Sequence, residues 1–252
     1  MRRTVVFDYI RRMIREKRKL HWVLLDPDDF SIQEAVRTAR ACEACGVDGF
    51  LIGGSLLHTD HFDAFVRSVK SAVKAPVLLF PGDATQLSRH ADALLYLSLI
   101  SGRNPVNLIG EHVKAAPLIR RLGIEPIATA YMLVESGMVT SVEFMSNTRP
   151  LPRTKPMIAA AHALAAQYMG MQMIYLEAGS GAQQTVPDDM VRMVRSYTDI
   201  PLIVGGGIRD VKTAVAKLSA GADIIVTGNL LLQKNGLSNM KAIARAVKKQ
   251  KS

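Results

Sequence analysis

Short apolar runs and longer amphipathic stretches alternate along almost the whole chain. Residues 4–19 place Val5-Val6, Tyr9-Ile10 and Met13-Ile14 at helical spacing among basic residues, which predicts an amphipathic helix that closes one end of a domain. The first apolar run, His21-Trp22-Val23-Leu24-Leu25, has no polar alternation and reads as a strand buried on both faces. The same signal returns at Asp48–Ile52, Val77–Phe80, Ala93–Leu97, Pro126–Tyr131, Met171–Ile174, 201–204 and 223–226. Helical periodicity fills the intervals over 31–45, 60–74, 107–122, 156–169, 187–197, 209–220 and 237–248, with a short helix expected near 84–90. A long excursion, about 133–153, carries Pro150 and Pro152 and interrupts the rhythm after the fifth strand.

Strict alternation of strands and helices implies a parallel sheet. Eight such units after a leading helix imply a (β/α)8 barrel, an α/β fold in which residues 1–252 form one barrel domain with an extra N-terminal helix. Two segments read as copies of one unit, Cys45-Gly46-Val47-Asp48 and Ala220-Gly221-Ala222-Asp223, each followed by a strand that ends in glycine. An open doubly wound sheet is the rival architecture, and it lacks the expected G-x-G-x-x-G after the first strand.

The strand ends carry the candidate chemistry. The sixth strand opens into Tyr175-Leu176-Glu177-Ala178-Gly179-Ser180-Gly181, so one carboxylate sits at the strand's C-terminal end beside a loop rich in backbone N–H groups. The seventh strand ends in Gly205-Gly206-Gly207 and the eighth in Gly228-Asn229. In (β/α)8 barrels the loops after these strands commonly hold a phosphate, because glycine admits close approach and the following helices add positive dipole. Glu177 is the residue placed to move a proton. Asp26, Asp28 and Asp29 crowd the end of the first strand, and Ser55 follows the second. Oxygen ligands suit a hard divalent ion such as Mg²⁺, which bridges carboxylates to substrate phosphates, so Asp26 is expected beside a metal with Ser55 adding a hydroxyl, and Asp29 or Ser31 capping the next helix. His58 and His61 lie three apart with no third ligand at a telling distance, and read as surface or packing residues. No Ser-His-Asp order and no lysine at a strand end offers a nucleophile.

Composition changes this picture little. A hydrophobic fraction of 48 % with 6 % aromatics is ordinary for a soluble α/β domain. No apolar run reaches the roughly 18 residues that a membrane span requires, and the N-terminus shows no signal-peptide core, so a cytoplasmic protein is expected. The two cysteines, Cys42 and Cys45, fall within an amphipathic helix pattern and read as small buried hydrophobes. The net charge of +10 is densest over Arg11–Lys19 and Lys248–Lys251. Aromatic–basic interleaving is missing, so nucleic acid is not an expected partner, whereas anionic substrates are.

Together, Leu25-Asp26-Pro27-Asp28, Gly53-Gly54-Ser55, Tyr175 to Gly181, Gly205-Gly206-Gly207-Ile208 and Thr227-Gly228-Asn229 resemble the geranylgeranylglyceryl phosphate synthase family over nearly the whole chain. Ser98–Pro105 and Leu108–His112 resemble the longer of its two groups. Leu24 departs from the shorter group, which has a lysine there, and the loop after Tyr-Leu-Glu is one residue longer than in that group. The resemblance implies a (β/α)8 barrel that joins sn-glycerol 1-phosphate to a prenyl diphosphate with Mg²⁺, in archaeal-type ether lipid synthesis, and a homo-oligomer. It implies that Asp26 and Ser55 hold Mg²⁺. It further implies that Tyr175, Leu176, Glu177, Ala178, Gly179, Ser180, Gly181, Gly206, Gly207, Gly228 and Asn229 bind glycerol phosphate, with Tyr175 and Glu177 in the catalytic set. An apolar groove for the prenyl tail is expected, with Ala128–Val134 as a candidate wall and core packing as the equal alternative. Helix 4–19 is a candidate for peripheral contact with an anionic membrane. The competing readings are a phosphate-gripping isomerase or synthase of amino-acid biosynthesis, and a barrel that binds phosphorylated ligands without catalysis.

Overall fold

Residues 4–250 are described in a computed structural model of the chain. Eight strands form the barrel: β1 Leu20–Leu25, β2 Gly49–Ile52, β3 Val77–Leu79, β4 Ala93–Leu99, β5 Glu125–Leu133, β6 Met173–Glu177, β7 Leu202–Gly205 and β8 Ile224–Thr227. Each pairs in parallel with its neighbour in chain order, and β8 closes on β1. The helices are α1 Val5–Arg15, α2 Ile32–Ala44, α3 Phe62–Ala72, α4 Glu111–Leu122, α5 Ser141–Ser146, α6 Pro156–Tyr168, α7 Asp188–Tyr197, α8 Val211–Ser219 and α9 Gly236–Lys249.

Alternation along each strand divides the core in two. Leu20 and Trp22, Ile127 and Tyr131, Met173 and Tyr175 fill the barrel, while Val23 and Leu25, Ala130 and Met132, Ile174 and Leu176 pack outward against the helices. The same parity carries Glu177 inward at the top of β6 and turns Ala178 outward into the helical layer.

Helix α1 closes the bottom. Val6, Ile10 and Met13 join the inner cluster, and the Glu125 carboxylate at the start of β5 accepts from Val6 N–H at 2.8 Å and Phe7 N–H at 3.0 Å. An acidic group at a helix N-terminus satisfies donors that the helix itself cannot. The helix stops at Arg15, short of the expected 19. Lys17 turns left-handed at φ 58°, with Arg18 N–H bonded to Met13 O and Lys17 N–H to Ile14 O. This is the Schellman pattern of bonds that ends a helix.

The repeated Gly-x-Asp units have a physical meaning at the lower rim. Asp48 accepts from His21 N–H at 3.0 Å and Asp223 from Leu202 N–H at 3.0 Å. Asp92 does the same for Val77 N–H and Gln172 for Ala128 N–H. In all four cases the clamping residue's own N–H donates back to the carbonyl of the same partner. Each even strand is thereby tied to the odd strand before it.

Two departures shape the site. Between β3 and β4 the chain forms turns rather than the short helix expected near 84–90. Asp83 Oδ1 accepts from both the N–H and the hydroxyl of Thr85, and Gln86 reaches away to Gly54 O at 2.9 Å. Such side-chain bonds to backbone compete with a helix. The excursion after β5 holds the short α5 and returns through a bridge between Val134 and Leu151. Cys42 lies buried on α2 with its thiol pushed up to about 12 by burial, and Cys45 donates to Ala41 O, as expected of structural cysteines.

Candidate active site

The C-terminal ends of the strands enclose a cavity of about 650 Å³. Its floor is aromatic: Tyr175 stacks on Phe80 with centroids 5.4 Å apart and meets Tyr131 edge-on at 5.5 Å. Above this floor sits Glu177, only 6 % exposed. Burial pushes its carboxyl up to about 7, against the opposing pull of the Gly179 N–H and the Tyr175 hydroxyl that it accepts from. The Gly179 bond is 2.6 Å long. Burial and the nearby Glu177 raise Tyr175 well above the ordinary tyrosine value, so its phenol stays a donor. Gly205 makes this pair of side chains fit. A Cβ there would stand 2.5 Å from the Tyr175 hydroxyl and 2.8 Å from Glu177 Oε2.

Around the carboxylate run the loops after β6, β7 and β8. Gly206 and Gly207 are both left-handed, at φ 83° and 72°, and a Cβ on Gly206 would run into Glu177 Oε1. Ser180 Oγ donates to Asn229 Oδ1 at 2.8 Å, tying the β6 loop to the β8 loop. Ser180, Gly181, Gly206, Gly207, Gly228 and Asn229 all border the cavity. Leu176 and Ala178 point into the outer core, so only their backbone is available to the site. Arg209, which sequence reasoning passed over, also borders the cavity and donates to Ala182 O at 2.7 Å and Gly181 O at 3.2 Å. Its signal was a cation two residues beyond the glycine triplet.

The opposite wall holds Asp26, Asp29, Gly54 and Ser55. Burial pushes the Asp26 carboxyl up to about 6, opposed by the Asp28 N–H bound to Oδ1. A Cβ on Gly54 would stand 2.6 Å from Asp26 Oδ2, so here too glycine gives a carboxylate room. Of the two residues expected to cap the next helix, Asp29 and Ser31, the structure selects the second. Ser31, with Glu34, caps α2: its hydroxyl accepts from the Glu34 N–H, and the Glu34 carboxylate accepts from the Ser31 N–H. Asp28 accepts from His58 N–H and Thr59 N–H, fixing the loop after β2, and Asp29 faces the cavity. His61 pairs with Thr59, away from any ligand set. Among the described residues no group of three His, Cys, Asp or Glu side chains forms a metal cage. His58, read from the sequence as a surface or packing residue, also borders the cavity on this side. The carboxylates and hydroxyl of the wall, one carboxylate strongly desolvated, nonetheless fit a hard cation that keeps waters and draws remaining ligands from a substrate.

A second cavity, about 340 Å³, adjoins the first where the β3–β4 helix is lacking. Leu95, Leu97, Ala115 and Ile119 line it, and Ser55, Phe80 and Tyr131 belong to both cavities. Of the expected wall Ala128–Val134, Tyr131 alone takes part, while Ala130, Met132 and Val134 pack in the outer core.

The family model described as the PcrB family matches residues 11–249. The chain is 46 % identical over 234 residues to a geranylgeranylglyceryl phosphate synthase of Pyrococcus horikoshii, covering 92 % of this chain and 91 % of that one. Wild-type GGGPS from Thermoplasma volcanium superposes with a TM-score of 0.92 at 36 % identity, covering 98 % of this chain and 99 % of that one. A (S)-3-O-geranylgeranylglyceryl phosphate synthase from Thermoplasma acidophilum, in complex with its substrate sn-glycerol-1-phosphate, gives 0.92 at 35 % identity, covering 97 % and 98 %.

Proposed function

This chain belongs to the PcrB family, and from the cavity just described we infer that it is a prenyltransferase that joins sn-glycerol 1-phosphate to geranylgeranyl diphosphate. An ether bond forms between the acceptor's hydroxyl oxygen and C1 of the prenyl chain, and diphosphate leaves with the electron pair of the broken C–O bond. The observation that carries this reading is the joining of three environments in one space. A desolvated glutamate with glycine loops faces an aspartate–serine wall, and both open into an apolar cavity.

In this reading the acceptor's phosphate lies against Gly206, Gly207, Gly228 and Asn229, with the loop from Tyr175 to Gly181 around its glycerol. Glu177, near 7, is poised between accepting and releasing a proton, and takes the one lost by the attacking hydroxyl. Tyr175 orients it through their hydrogen bond. Asp26 and Ser55 would hold Mg²⁺, which supplies charge neutralisation for the departing diphosphate. The prenyl chain takes the apolar cavity, and the closed floor of Phe80, Tyr131 and Tyr175 keeps water from the reacting carbon.

One assay tests the reading: purified protein, Mg²⁺, geranylgeranyl diphosphate and radiolabelled glycerol phosphate of either handedness. Label passing into butanol with sn-glycerol 1-phosphate only, and lost with EDTA, is the expected result. Transfer only with a longer or shorter donor corrects the length of the groove. Absence of transfer with every prenyl donor overturns the reading.

A further inference from the structure

Buried hydroxyl groups almost always find a hydrogen-bond partner, so one that lacks it inside a binding cavity marks a contact still to be made. Thr140 is such a group. The residue is 4 % exposed, yet its Oγ1 has no partner. Of the residues that carry a buried side-chain polar atom without a partner among the described residues, Thr140 alone borders the 650 Å³ cavity; His21, Trp22 and His112 do not.

Local structure makes the missing bond more pointed. Thr140 stands just before α5, the position at which a threonine hydroxyl ordinarily accepts from the helix's own backbone. Here its backbone is extended, at φ −101° and ψ 162°, and the side chain makes no such bond. It lies instead against Gly179, where a Cβ would be 2.5 Å from Thr140 Cγ2 and 2.8 Å from Oγ1. The hydroxyl is therefore held beside the loop that also carries the Gly179 N–H bond to Glu177 and the Ser180 bond to Asn229. The excursion after β5 places it there, from outside the three loops that form the rest of this wall.

We propose that Thr140 is a further acceptor-binding residue, whose hydroxyl donates to an oxygen of the phosphorylated three-carbon acceptor. This rests on the function proposed above and deepens it. The donor half, at Asp26 and Ser55, is untouched by this contact.

The test compares wild type, Thr140→Val and Thr140→Ser. Calorimetric titration with sn-glycerol 1-phosphate alone should show T140V weakened about tenfold to hundredfold, the range of a charge-assisted hydrogen bond. Its KM for geranylgeranyl diphosphate should stay within about twofold of wild type, because the groups there are unchanged. T140S should keep wild-type affinity. The ligand-free melting temperature of T140V should match or exceed that of wild type, since no intramolecular bond is removed. Should valine prevent folding, Thr140→Ala must weaken acceptor binding to the same degree. Wild-type acceptor affinity in the folded variant, equal weakening in T140S, or a loss confined to the prenyl donor would each overturn the proposal. A wild-type protein inactive with every prenyl donor would instead overturn the function reading, so the two failures are distinguishable.

Discussion

Glu177 keeps a carboxyl group almost wholly out of water, and both its chemistry and its cost follow from that. Its ordinary value is 4.5 and its folded value about 7, so the folded chain binds the proton more tightly than the unfolded chain does. That preference favours folding fully below about pH 4.5, and it is lost as pH rises to about 7. The loss is on the order of 3 kcal/mol, taking 1.36 kcal/mol per unit. Glu177→Gln carries no such proton. Denaturant titrations should therefore show E177Q gaining on wild type between pH 4.5 and 8, by a few kcal/mol in order of magnitude. The slope from Asp26 is present in both proteins and cancels. A difference that stays flat with pH would mean that the carboxylate is buried without cost. Transfer by E177Q should fall roughly 10²–10⁴-fold, the usual contribution of a positioned base. Wild-type kcat/KM should climb with pH and level off above about 7. Asp26 offers a separate reading, since its carboxyl sits near 6 and a metal needs it deprotonated. Mg²⁺ dependence should steepen below that pH. Asp26→Asn should raise the Mg²⁺ requirement and the KM for the prenyl diphosphate, while calorimetric binding of glycerol phosphate stays as in wild type.

At the scale of elements, glycine at a strand end gives room to side chains from a neighbouring strand. Gly205 and Gly54 leave space for the protein's own acids and phenol, a role invisible in sequence because the side chain that needs the space lies on another strand. Gly205→Ala should displace Tyr175 and Glu177 together. We expect a loss of about 1–3 kcal/mol in stability from overpacking, with a drop in kcat larger than any change in KM. Retention of full kcat would show that the pair tolerates movement. The strands themselves were legible, since runs such as Trp22-Val23 and Ile203-Val204 are buried on both faces and carry no competing pattern. Glu177 and Asp26 were legible too, as acids placed just where an apolar run stops. The missing helix between β3 and β4 was not. Besides the local Asp83–Thr85 bonds, what unwinds this stretch is Gln86 reaching Gly54 and Glu111 accepting from Ala84 N–H, both set by distant parts of the chain. Thr140 and Arg209 escaped notice for the same reason. Their significance lies in which loop they meet, and a loop of irregular backbone advertises no register.

For the molecule as a whole, the two ends of the barrel are built differently. Below lie α1, the Glu125 cap and the four rim clamps; above lie the two cavities. Arg11, Arg12 and Arg15 are exposed on α1, with Arg11 over the Phe7 ring at 5.9 Å and Arg12 over the Tyr9 ring at 5.7 Å. This basic face is the candidate for contact with an anionic membrane, and it belongs to the end away from the chemistry. Replacing all three arginines with glutamine should therefore lower co-sedimentation with vesicles of anionic lipid. The loss should shrink as salt rises, because exposed charges more than about 10 Å apart are screened at roughly 0.1 M. The same variant should keep wild-type kcat/KM for a detergent-solubilised donor, since its changes leave the strand ends untouched. Glu125→Ala gives the matching control for the lower end: α1 loses the acceptor for two N–H groups and stability falls by roughly 0.5–2 kcal/mol, the range for a lost helix cap, with kcat/KM again unmoved. If vesicle binding survives the triple arginine change, α1 is not the docking face. The positive balance would then serve the two anionic substrates alone, through Arg209 and the loops at the upper end.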